Sequence, residues 1–192
     1  MIAINDNIKG LIFDLDGTLV DSMPVHFEAW QDLAKYAGFE FPEDYFYNLA
    51  GMPTIKIIKI LCDKYKVDLD PTELVKIKEE AYYKRLDSVK IIEPVFDVAK
   101  RYFGVMPMSI GTGGKKEVSL RIIQALELDK YFDIMVSAED VENHKPAPDT
   151  FLKCAELMNV LPEYCNVFED GELGIQAAKT AGMFVTDIRG YL

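Results

Sequence analysis

Five short apolar runs, at residues 10–15, 106–110, 132–136, 166–168 and 184–188, each end in a polar or glycine-bearing turn. Runs this short, bounded in this way, read as buried strands. Between the later runs the apolar spacing becomes helical, over residues 115–126, 148–158 and 171–181. Strands that alternate with helices build βαβ units. The predicted fold is therefore α/β, a Rossmann-like, doubly wound parallel sheet with helices on both faces.

Residues 21–87 have a different texture. Phe27, Trp30, Leu33 and Ala34 share a helical face, as do Ile57, Ile60 and Leu61, and then Leu74, Ile77 and Ala81. No strand of similar quality interrupts them. Pro24, Pro42, Pro53 and Pro71 fall near the expected helix starts, where a missing N–H matters little. The expected organisation is an α/β core of residues 1–20 and 88–192, with a helical cap of residues 21–87 inserted after the first strand. Ligands of such sheets bind beyond the carboxyl ends of the strands, where a cap would sit.

Composition removes several classes of function. Thirty-two acidic residues against 21 basic ones give a net charge of −11, so no nucleic-acid partner is expected. A local basic site for a small anion remains compatible with that balance. The opening residues, MIAINDNIKGLIF, lack the basic start, long apolar core and cleavage site of a signal peptide. No apolar stretch approaches the roughly 20 residues of a membrane helix. Cys62, Cys154 and Cys165 are odd in number and form no CxxC pair, which argues against a zinc finger or a disulfide scaffold. A cytoplasmic protein with buried thiols is the expectation.

The chemistry concentrates at the strand ends. Asp14 and Asp16, in Asp14-Leu15-Asp16-Gly17-Thr18, close the first apolar run. On a regular strand, residues two apart point the same way, so the carboxylates would repel unless a cation lay between them. A polar turn is the plainer reading of that segment taken alone. Thr112, Gly113 and Gly114 follow the second run and offer a hydroxyl and open amides before a helix, a workable phosphate cradle. Lys145 lies in a loop stiffened by Pro146 and Pro148, where most lysines would simply be solvated. Glu169 and Asp170 close the fourth run, and Asp170 could equally cap the following helix. Parallel strands aim these residues at one edge. Carboxylates, a lysine and a hydroxyl, with no His/Cys cluster, suit Mg²⁺ beside a phosphoryl group better than Zn²⁺.

In order and spacing, DLDGT, GTGG, HKPAPD and FEDGELGIQAAKTAG resemble the four motifs of the haloacid dehalogenase-like (HAD) phosphohydrolase superfamily. The likeness spans essentially the whole chain, and the insert position resembles that of the helical-cap, β-phosphoglucomutase-like subgroup. Within it, the chain is similar to fructose-1-phosphate phosphatases of the YqaB type. The resemblance implies Asp14 as nucleophile, forming an aspartyl phosphate, and Asp16 as the acid and base. It implies Mg²⁺ held by Asp14, the Asp16 carbonyl and Asp170, with Glu169 acting directly or through water. Thr112, neighbouring amides and Lys145 would hold the phosphoryl group.

The same resemblance points to His26, Lys78 and Thr54 as cap residues facing the substrate. Packing near Trp30 competes as a role for His26, and a solvated charge competes for Lys78. Phosphoglucomutases of this kind typically carry an arginine in the loop matched by Gly51-Met52-Pro53-Thr54. Thr54 offers one neutral hydroxyl instead, which favours hydrolysis over isomerisation. The expected function is a Mg²⁺-dependent phosphatase for small phosphorylated metabolites such as fructose 1-phosphate. A β-phosphoglucomutase-like mutase is the alternative, and a silent phosphosugar-binding protein a more distant one. A monomer without membrane partners is the default assembly. Cap and core would be joined near residues 18–22 and 86–92.

Overall fold

The structure, a computed structural model, describes residues 2–49 and 52–192. The chain runs through β1 (Gly10–Phe13), β2 (Val20–Asp21), α1 (Met23–Ala37), α2 (Glu43–Asn48), α3 (Thr54–Tyr65) and α4 (Pro71–Tyr83). It continues through β3 (Lys90–Ile91), α5 (Glu93–Tyr102), β4 (Met108–Gly111), α6 (Lys116–Ala125) and β5 (Ile134–Val136). Then come α7 (Asp149–Met158), β6 (Cys165–Glu169), α8 (Glu172–Thr180) and β7 (Phe184–Asp187). Two compact units result, Met1–Asp21 with Lys90–Leu192, and Ser22–Val89.

The first unit is built on a five-stranded sheet in the order β5-β4-β1-β6-β7, with every neighbouring pair parallel. Its central strand β1 is buried along its whole length, as a run of Leu11, Ile12 and Phe13 requires. Phe13 stacks on Phe168 of β6, with ring centroids 4.6 Å apart, and meets Phe132 edge-on. Ile12 and Val167 pack with Phe151, Cys154 and Ala155 of α7 and Ala177 and Ala178 of α8. The sheet and helices bury these side chains from water, which is the main favourable term in forming this unit.

The first apolar run is shorter as a strand than the sequence suggests. β1 ends at Phe13, so Asp14 and Asp16 are not strand neighbours on one face. The physical reason is a turn at Leu15, whose carbonyl accepts from the amides of Leu19 and Val20. Gly17 completes the turn at φ +87°, a left-handed conformation that side chains with a Cβ avoid. The run at 106–110 becomes a strand only at Met108, since Pro107 has no N–H for a ladder. Sequence spacing did not single out α5, whose Val95, Phe96, Val98 and Ala99 are buried. It also did not single out the two-residue antiparallel ribbon of β2 and β3.

The second unit is helical. Trp30, Leu33, Phe41, Phe46, Ile57, Ile58, Leu61 and Leu74 form its core, and Trp30 meets Phe41 at 5.1 Å between ring centroids. Pro24 and Pro71 lie in the first turns of α1 and α4, and Pro42 and Pro53 immediately precede α2 and α3. α1 ends on Gly38 and α3 on Lys66, both in the left-handed conformation. Gly38 adopts it freely, whereas the exposed Lys66 does so against its Cβ. Lys66→Gly is therefore expected to stabilise this unit by about 0.5–1 kcal/mol, read as a higher urea midpoint at unchanged slope. A lower midpoint would show that the lysine side chain outweighs the backbone term.

Candidate functional site

The first unit gathers its polar residues at the carboxyl edge of the sheet. Asp14 follows β1, Thr112 follows β4, and Glu169 and Asp170 close β6. The Asp14 amide donates to the Phe168 carbonyl at 3.0 Å, which extends the β1–β6 ladder and sets Asp14 level with Glu169. Lys145 reaches the same edge from the loop before α7. Its Nζ donates to Asp14 Oδ1 at 2.6 Å and to Glu169 Oε1 at 2.7 Å, and its side chain is only 10% exposed.

Each carboxylate has a distinct setting. Glu169 is buried, and its second oxygen accepts from the Gly171 amide at 2.7 Å. Glu169 thus ties down the Gly171 amide just ahead of α8, while the Asp170 side chain is turned to Thr18. A Cβ on Gly174 would stand 1.7 Å from Glu169 Oε1, so only glycine lets α8 lie across this carboxylate. Asp170 accepts from the Thr18 hydroxyl at 2.7 Å. It also presses on the Gly17 backbone, where a Cβ would stand 2.4 Å from its Oδ2. Oxygen atoms of Asp14, Glu169 and Asp170 all lie within 4.8 Å of one another.

Charge is therefore out of balance in this buried place, with three carboxylates around one ammonium. Burial pushes the Asp14 carboxyl well above its usual range; Lys145 pulls it back, while Glu169 and Asp170 push it further up. Burial likewise raises Asp170, to about 6, with Glu169 adding to the rise and the Thr18 hydrogen bond opposing it. For Lys145, burial alone would favour the neutral amine, but Asp14 and Glu169 outweigh it and keep the ammonium. A cation of charge two with a preference for oxygen ligands fits this set, since it removes the excess that makes the carboxylates costly to bury.

Beside this cluster, Thr112 anchors the Gly-rich loop. Its amide donates to Val136, and its hydroxyl oxygen accepts from the Gly114 amide at 2.9 Å. The Gly114 N–H thus shapes the loop itself and leaves the Thr112 hydroxyl its proton to donate. Asp16 Oδ2, Thr112 Oγ1 and Ser119 Oγ converge around Gly114, at 3.5, 3.2 and 3.0 Å from where a Cβ there would stand. Gly113 is exposed at the loop's tip.

The structure thus brings together Asp14, Asp16, Thr112, Gly113, Gly114, Lys145, Glu169 and Asp170. His26, Lys78 and Thr54 belong to the helical unit. There, the His26 ring stacks on Tyr82 at 3.9 Å, and Lys78 Nζ lies 2.9 Å from His26 Nδ1. Lys78 is buried, so a solvated surface charge does not describe it. Thr54 opens α3 and is half-buried. Gly51, the first residue of the loop proposed to carry specificity, lies outside the described residues. Sequence reading gave no role to Thr18 or Ser119. Thr18 stood inside the DLDGT motif, whereas Ser119 carried no local signal because it looks like any residue of a first helical turn.

The sequence profile described as haloacid dehalogenase-like hydrolase matches residues 11–188. Among curated proteins, "Fructose-1-phosphate phosphatase YqaB" of Escherichia coli is 43% identical over 96% of this chain and 98% of its own length. "Phosphorylated carbohydrates phosphatase" of Thermotoga maritima is 33% identical over 92% of this chain and 82% of its own. Among solved structures, a HAD hydrolase, family IA, variant 3, from Entamoeba histolytica superposes with a TM-score of 0.81 at 28% identity. It covers 93% of this chain and 82% of its own.

The position of Asp170 yields a pH prediction. Its carboxyl titrates near 6 when folded against an ordinary value of 3.8. Between these values the folded protein holds a proton that the unfolded chain has released, so stability falls as pH rises through the window. Above it the full penalty, of order 2–3 kcal/mol, stands. Asp170→Asn removes the charge and keeps an oxygen for Thr18. In EDTA at pH 7.5 this variant is expected to melt several degrees above the parent. The gap should halve near about pH 5 and close near about pH 4. A gap that stays constant across this range would refute the assignment.

Proposed function

The chain belongs to the haloacid dehalogenase-like hydrolase family and is an enzyme of phosphoric monoester hydrolysis, and we propose that it is a Mg²⁺-dependent phosphatase of small sugar phosphates, with fructose 1-phosphate among its substrates. The observation that carries this reading is the ammonium of Lys145 wedged between two buried carboxylates, with a third at hand and a hydroxyl-bearing loop beside them. The Escherichia coli relative supplies the substrate class by analogy.

In this reading, Asp14 attacks phosphorus and takes the phosphoryl group, while the sugar oxygen leaves. Asp16 protonates that oxygen and then accepts a proton from the water that hydrolyses the aspartyl phosphate. Asp16 stands half-buried in the turn after β1, with its Oδ2 on the side of the Gly114 loop. The Thr112 hydroxyl and Gly113 amide donate to phosphoryl oxygens, and Lys145 offsets their charge. Asp14, the Asp16 carbonyl and Asp170 would hold Mg²⁺, which would supply charge neutralisation for the phosphoryl oxygens. Both oxygens of Glu169 have hydrogen-bond partners, so it holds Lys145, and it would act on the metal directly or through water. His26 and Lys78 select among sugars. The three free thiols and the acidic balance support a cytoplasmic monomer acting on a diffusible substrate.

Purified protein is expected to release inorganic phosphate from several hexose phosphates with Mg²⁺, and to stop in EDTA. Asp14→Asn should lower kcat by about 10⁴-fold or more. Conversion of glucose 1-phosphate to glucose 6-phosphate with a bisphosphate primer, and no phosphate release, would instead establish a mutase. His26→Ala and Lys78→Ala should each change the ratio of kcat/KM between two sugar phosphates by about tenfold, with the Mg²⁺ dependence unmoved. Equal losses on every substrate would remove them from selection.

A further inference from the structure

We propose that Phe151 is a positioning residue for Lys145, and that its ring holds the ammonium in place between Asp14 and Glu169. The consequence for turnover rests on the phosphatase reading; the contact itself does not. Lys145 Nζ stands 4.6 Å from the centroid of the Phe151 ring, within the range at which an aromatic face attracts a cation. Phe151 is fully buried in the first turn of α7, six residues after Lys145.

The ring belongs to the rigid part of the unit. It packs with Ile12, Val136, Cys154 and Val167. A Cβ on Gly111, at the end of β4, would stand 3.1 Å from its edge, so the strand lies directly against it. The lysine itself is the opposite, a flexible four-carbon stem carrying a point charge. Two of its three N–H groups go to carboxylates. A third carboxylate would add to an anionic excess and repel a phosphoryl group. An amide or hydroxyl would take up the third N–H. An aromatic face attracts the charge without doing either, so the third N–H stays available for a phosphoryl oxygen. A leucine would fill the space with no attraction for the cation.

The test separates attraction from packing. Phe151 is replaced, by site-specific incorporation, with 4-fluoro-, 3,5-difluoro- and 3,4,5-trifluorophenylalanine, which weaken the ring's negative face at nearly constant volume. We expect kcat for phosphate release to fall stepwise, to about tenfold at three fluorines, with KM within about twofold and melting temperature unmoved. A flat kcat across the series would overturn the proposal. NMR of lysine labelled at Cε gives a readout that needs no turnover, with the Lys145 signal assigned by its loss in Lys145→Met. That signal should be shifted upfield by the ring in the parent and return to the ordinary lysine position in Phe151→Leu. An ordinary Lys145 signal in the parent would overturn the proposal whatever the kinetics. A displaced signal in a protein that releases no phosphate from any sugar phosphate would support the contact and sink the phosphatase reading instead.

Discussion

The ion triplet Asp14–Lys145–Glu169 is the constraint on which the site depends. Its three members come from residues far apart in the chain, and Lys145 bonds the other two at 2.6 and 2.7 Å. That geometry requires Asp14 and Glu169 to end their strands at the same level, which the Phe13–Phe168 register provides. A slip of one residue would turn every side chain of β1 to the other face and pull the pair apart. Buried charges of this kind contribute little net stability, because desolvation offsets their attraction. Their value is geometric: with one partner missing, the remaining charges would be left uncompensated, so only one arrangement of the three is tolerable.

Glycines supply the space that this arrangement needs. Asp170 lies against Gly17 and Glu169 against Gly174, each closer than any side chain would allow. Asp170 is thereby pressed onto backbone, and its carboxyl, like that of Asp14, is pushed up chiefly by burial. Thr18, one residue beyond the tightest part of the Leu15 turn, aims its hydroxyl at Asp170. The DGT sequence thus serves two purposes, forming the turn and holding the acid on the far side of it.

Much of this was legible because parallel strands put chemistry where apolar runs stop. Asp14, Thr112, Glu169 and Asp170 each stand at such a stop, and a glycine marks the turn nearby. Lys145 was legible from its loop, between a histidine and two prolines. The contacts were not legible. Phe151 reads as an ordinary apolar residue at helical spacing, and only the folded loop brings it under a cation. The turn at Leu15 was hidden because a buried strand and the turn that ends it share apolar residues. β2 and β3 escaped because two residues carry no periodicity. Their pairing is fixed by partners about seventy positions away in the chain.

That short ribbon has a consequence for how such a protein can change. Val20 pairs with Ile91 and Asp21 with Lys90, and the Ile92 amide closes onto the Leu19 carbonyl at 2.9 Å. The chain therefore leaves the sheet-bearing unit and returns to it at neighbouring points, about 5 Å apart as in any strand pair. To that unit, the intervening helices are a loop with fixed ends, and lengthening it adds only the slowly growing entropy of loop closure. A lineage can shorten, lengthen or exchange the whole helical cassette while the acid cluster stays untouched. The helical unit and the acid cluster are thus free to evolve on separate clocks within one polypeptide.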